Sequence, residues 1–75
     1  MRKLMNSLFV TTEEAYLCLD GENVVVQNKG EEMARFPLHT LENIVLFSYA
    51  GASPALMGFC AKSNKNLSFC TPHGR

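Results

Sequence analysis

Apolar and polar residues alternate along this chain in short blocks, and turn-forming residues separate the blocks. "KLMNSLFV" (Lys3 to Val10) has the composition and length of a strand, and the polar "TTEE" ends it. In "AYLCLD", Ala15, Leu17 and Leu19 alternate with Tyr16, Cys18 and Asp20. "DGEN" follows, and Asp and Gly tolerate the positive φ that a tight hairpin turn demands. The β-branched run "NVVVQN" leads into "NKG", where Asn28 and Gly30 suit positive φ. In "EEMARFP", Met33 and Arg35 face one way and Ala34 and Phe36 the other, and Pro37 ends the strand. Residues 14–37 therefore predict a three-stranded meander, best specified at Asp20-Gly21. "HTLENIVLFS" adds a strand in which Ile44, Val45, Leu46 and Phe47 are all apolar, a pattern of burial on both faces.

One stretch, "SPALMGFCAKSN", has helical spacing, and it predicts a helix over about residues 53–63. Ser53 is an N-cap residue and Pro54 suits the first helical position. Leu56, Phe59 and Cys60 share one face. Lys62 and Lys65 suit the C-terminal end of the dipole, and Asn64 suits a left-handed cap. Gly58 weakens the helix, which points to a close backbone approach there. "NLSFCTP" is a last strand, stopped by Pro72, and "HGR" reads as a turn leading to a further strand. The pattern predicts an α+β, mainly β fold: a small antiparallel β roll or sandwich of about six strands with one short helix.

At 75 residues this is a single domain, 1–75, with a core barely large enough for independent stability. The formal net charge is zero, but unevenly spread. Residues 1–42 hold four bases and all seven acids, giving −3. Residues 43–75 hold Lys62, Lys65 and Arg75 and no acid, giving +3. Those three cations are the candidate DNA contacts, although basic residues near a helix end are also ordinary capping chemistry. Apolar runs fall well short of the about 18 residues that would cross a membrane, and the start lacks the build of a secretion signal. A cytoplasmic, reducing setting is expected.

Chemical constellations are incomplete. Cys70 and His73 have the spacing of half a zinc site, and Cys60 has no close partner ligand. Cys60 and Cys18 read as packing residues. No C-x-x-C pair occurs. His39 falls at a strand entry, and Glu13-Glu14 and Glu31-Glu32 fall in solvated turns. No catalytic residue and no metal ligand is expected.

The ordered set "LFVTTEEAYLCLDGENVVV", "ARFPLHTLENIVLF", "GASPALMGFCAKSNKNLSF" and "TPHGR" resembles the N-terminal β domain of the CRISPR-associated adaptation integrase (the Cas-one endonuclease family), nearest to type I-C-like members. The resemblance covers essentially the whole chain. It implies a protein that inserts foreign DNA spacers into a CRISPR array by metal-dependent transesterification, with Mg²⁺ or Mn²⁺. It implies homodimers assembled on a second small adaptation protein (Cas-two) and acting on double-stranded DNA. The family's catalytic Glu, His and Asp lie in a helical C-terminal domain that these residues do not include. No catalytic residue carries over, no cofactor is expected in this stretch, and the isolated chain is expected to be inactive. Its implied role is dimerisation and DNA bracing. Some members place an aromatic residue at the first hairpin. Here that turn carries Asp20-Gly21-Glu22, and the nearest aromatic is Tyr16. The rival reading is a free-standing β-rich protein-interaction module with no nucleic-acid role.

Overall fold

The computed structural model describes residues 2–48 and 50–70, with seven strands and one helix among them. The strands are β1 (Arg2–Leu4), β2 (Ser7–Val10), β3 (Ala15–Asp20), β4 (Asn23–Asn28), β5 (Glu31–Pro37), β6 (Asn43–Phe47) and β7 (Asn66–Cys70). The helix α1 spans Pro54–Lys62, and a 3₁₀ turn covers Leu38–Thr40. The mainly β class stands as expected. The strand count differs because "KLMNSLFV" is two strands. Met5 takes a left-handed φ of 56°, and the chain folds back there so that Lys3 faces Leu8.

The meander forms as expected, in the order β3-β4-β5. Both hairpins have two-residue loops, because Asp20 pairs with Asn23 and Asn28 with Glu31. Gly21 carries φ 62° in the first loop. In the second loop the positive angles fall on Lys29 and Gly30, at 54° and 83°, and Asn28 is the last residue of its strand. Positive φ at both loop positions is the type I′ requirement, so the loop frame decides which residues turn. A bulge at Val26/Gln27 leaves Met33 without a rung partner.

The second sheet corrects the antiparallel expectation. Its order is β1-β2-β6-β7, with β2–β6 and β6–β7 both parallel. The topology gives the reason. The chain leaves β2, builds the whole meander, and re-enters the sheet in the same direction at β6. It then crosses over through α1 to β7, and parallel neighbours need such long connections. A polar row fixes the register: Asn66 Nδ2 donates to Asn43 Oδ1 at 2.9 Å, and Asn43 Nδ2 donates to Ser7 Oγ at 3.2 Å.

The core lies between the sheets. Leu8, Val10, Ile44 and Leu46 meet Ala15, Leu17, Val24 and Val26, and Leu38, Leu41, Leu56 and Cys60 complete the cluster. The expectation that β6 is buried on both faces holds for one face only. Ile44 and Leu46 are buried, whereas Val45 and Phe47 are half-buried on the opposite side. On the meander's outer face, Arg35 reaches across β4 to Asp20, and Val25 below it is buried outside the main cluster.

Backbone bonds join the meander to α1. The Leu17 N–H donates to Gly51 O at 3.1 Å and the Ser53 N–H to Leu17 O at 2.8 Å, so residues 51–53 occupy the outer edge of β3. Ser53 Oγ then accepts from the Leu56 N–H, which caps the helix as its sequence predicts. Close approach does not explain Gly58: a Cβ there would meet nothing within 4 Å. Gly58→Ala is therefore expected to stabilise the fold by about 0.5–1 kcal/mol, read as a higher urea midpoint. A lower midpoint would mean that the helix surface at Gly58 is not open.

Candidate nucleic-acid interface

The cations expected to touch DNA follow from how α1 ends. Asn64 takes φ 57°, as expected for a left-handed cap. The Lys65 N–H donates to Cys60 O at 2.9 Å, the 6→1 bond of a Schellman ending. Lys62 stands exposed in the last helical turn, and Lys65 follows the reversal at the entry to β7. Lys65 is half-buried, and its Nζ donates to the Leu41 carbonyl at 2.7 Å. Its charge therefore also fastens α1 to the strand-entry turn. Arg75 and His73 lie outside the described residues, as do Pro72 and the "HGR" turn.

The other described cations with recorded partners are committed elsewhere. Arg35 Nη1 meets Asp20 Oδ2 at 2.9 Å and its Nη2 meets Glu32 Oε1 at 2.9 Å. The hydrogen bond from Arg35 holds the Glu32 carboxyl below its ordinary range, and these partners push the Arg35 guanidinium further up. Lys29 Nζ stands 3.9 Å from Glu14, and Lys3 Nζ donates to Met5 O. The charge asymmetry of the sequence is only partly spatial: six of the seven acids lie on the meander and its flanking turns, whereas Glu42 adjoins the entry to β7, its carbonyl accepting from the Asn66 N–H at 2.8 Å.

Among the described residues the three cysteines lie apart. Cys60 is 2% exposed on the core face of α1, Cys18 lies opposite Val25 on the meander's outer face, and Cys70 ends β7. All three are free thiols. Burial raises the Cys60 thiol, with Lys65 opposing in part, and burial raises Cys18 as well. His39 is exposed in the 3₁₀ turn. Glu13 and Glu14 border an open hollow with Thr12, Asn28 and Lys29, in which the buried Asn28 Oδ1 has no hydrogen-bond partner. Among the described residues no group of three or more His, Cys, Asp or Glu could hold a metal ion. The divalent ion that the resemblance implies for the whole protein therefore does not fit these residues. Tyr16 faces Gln27, at the end of β3 away from the Gly21-Glu22 turn. Among the described residues no helix is long and apolar enough to cross a membrane.

Residues 8–75 match the family model for CRISPR associated protein Cas1. The chain belongs to that family. It is 44% identical over 75 residues to the CRISPR-associated endonuclease Cas1 1 of Chlorobaculum tepidum, an alignment covering the whole chain and 22% of the relative. Over 61 residues it is 46% identical to the CRISPR-associated endonuclease Cas1 2 of Rhodospirillum rubrum, covering 81% of the chain and 18% of the relative. A Moorella thermoacetica Cas1 is 33% identical over 75 residues. The chain spans about a fifth of the length of the curated Cas1 relatives it matches. Their names carry no subtype, so the assignment is to the family and not to type I-C.

Sequence reasoning missed three features of this end of the molecule: the Lys65–Leu41 tether, the asparagine row and the exposed Phe69 on β7. The first two join residues more than 20 positions apart, where local pattern is silent. The third had a signal, since Phe69 stands in the last predicted strand.

Proposed function

We propose that these residues form the N-terminal β domain of a CRISPR-associated integrase, with a dimerising and DNA-bracing role. The family match over residues 8–75 carries this reading. The exposed Lys62 ammonium supports a phosphate contact, with Lys65 and Arg75 as its companions. Phosphate contacts hold a duplex in position without reading its sequence, which suits a brace. The domain works in the cytoplasm, as a homodimer on the small Cas2 partner. Insertion of spacers with Mg²⁺ or Mn²⁺ is the work of the whole protein, and its Glu, His and Asp ligands lie in the helical domain outside these residues.

The test is to incubate the 75-residue chain with a short DNA duplex and either metal, following both retention and cleavage. The expected result is weak, salt-sensitive retention with no cleavage, together with self-association in sedimentation. Lys62→Glu should weaken retention and lower the salt slope by about one. Metal-dependent cleavage by clean protein would refute the inactive-brace reading. Retention unchanged in Lys62→Glu would remove Lys62 from the DNA contact.

A further inference from the structure

Asp20 is the single aspartate of the chain, and Gly21 follows it at the tip of the first meander hairpin. Glycine after aspartate favours ring closure between the two, because no side chain crowds the Gly21 nitrogen. A Cβ added at Gly21 would meet nothing within 4 Å, so the approach is open. The Asp20 side chain is 63% exposed, so water reaches its carboxyl. Two features hold the reacting groups apart in the fold. Asp20 pairs with Asn23 at the last rung of β3 and β4, which keeps its main chain extended. Arg35 Nη1 donates to Asp20 Oδ2 at 2.9 Å. Arg35 is itself fixed by a two-pronged contact with Glu32, Nε to Oε2 at 3.1 Å and Nη2 to Oε1 at 2.9 Å. The guanidinium thus draws the carboxylate towards the rung of Cys18, Val25 and Arg35, away from the tip.

We propose that Asp20-Gly21 is a site of spontaneous isoaspartate formation, and that Arg35 restrains it. The Gly21 nitrogen bonds to Asp20 Cγ. One carboxylate oxygen leaves as water, taking the amide hydrogen and one proton from solvent. The product is a five-membered succinimide. Water then adds to one of its two carbonyls. Opening at Cγ restores aspartate. Opening at the main-chain carbonyl carbon leaves the chain running through Cβ and Cγ, with the carboxylate now on Cα. Water is lost and regained, and nothing is oxidised or reduced. The lengthened main chain no longer fits a two-residue loop, and the relocated carboxylate leaves Arg35. The disturbance reaches the core, because Glu22 O accepts from the Leu38 N–H at 2.8 Å and Leu38 is fully buried. A slow chemical clock therefore sits on the best-specified turn of the domain. The inference stands apart from the DNA-bracing reading.

The test is prolonged incubation of the 75-residue chain at neutral pH, folded and in urea, with peptide mapping that separates isoaspartate from aspartate at position 20. The expected result is conversion at Asp20, several-fold slower in the folded chain than in urea. Folded Arg35→Gln should convert several-fold faster than wild type, with Arg35→Lys between them. In urea all three should convert alike, since no guanidinium is held beside the carboxylate there. Val45→Ala, which loosens the other sheet, should stay near the wild-type rate. If Arg35→Gln does not fold, Arg35→Lys carries the comparison. Equal rates for the folded wild type and the folded Arg35 variants overturn the restraint. So does a Val45→Ala rate as high as theirs, which would follow global opening, or a faster Arg35→Gln rate in urea. No conversion at Asp20 even in urea overturns the site itself.

Discussion

Leu46→Ala is expected to destabilise the domain by about 3 kcal/mol, within the roughly 2–5 kcal/mol range of buried leucine truncations. Leu46 is fully buried on β6, with Val10 and Phe69 as its register neighbours on either side. It faces the inter-sheet core, so no flexible surface group can move in to fill the space left behind. A domain of this size has about 4–11 kcal/mol of stability in total, so one methyl-rich side chain represents a large share of it. Urea denaturation should show a midpoint lower by about 1–3 M with an unchanged slope. Val45→Ala, on the half-buried face of the same strand, should lose markedly less. Equal losses at the two positions would contradict the one-sided burial of β6.

Ser48→Ala is expected to cost about 1–3 kcal/mol, more than its half-buried position suggests. Its hydroxyl sits where β6 leaves one sheet and β3 begins the other. Oγ lies 2.6 Å from the Ala15 carbonyl and 3.0 Å from that of Glu13, and it accepts from the Ala50 N–H at 3.0 Å. One hydroxyl hydrogen serves one carbonyl at a time, and the shorter distance favours Ala15. Alanine here would leave that carbonyl, on a fully buried residue, without its partner. Ser48→Thr keeps the hydroxyl and should recover most of the loss. If Ser48→Ala unfolds at the wild-type midpoint, the hydroxyl is not a staple between the sheets.

The elements that sequence predicted well are those whose determinants lie within a few residues. The meander follows from alternation and two-residue loops, and α1 follows from Ser53, Pro54 and Asn64. The first hairpin was hidden because its left-handed residue is Met5, a side chain with no preference for that conformation. Parallel pairing was hidden because its register rests on Ser7, Asn43 and Asn66, three unremarkable polar residues until the fold aligns them. The site was legible only as a charge imbalance. The sequence pointed to Lys62 and Lys65 together, and the structure separates an exposed ammonium from one bonded to a carbonyl.

The parallel sheet also bears on the order in which the chain folds. Each meander hairpin closes over two residues, whereas joining Ser7 to Asn43 spans 36. The longer closure costs roughly 2 kcal/mol more in chain entropy, and few contacts offset it until both strands are in place. The meander can therefore form early from local pairings; β2 and β6 pair once it has brought the chain back, and β7 is added through α1. Until those strands arrive, the inward face of the meander, with Leu17, Val24 and Val26, stays open to water.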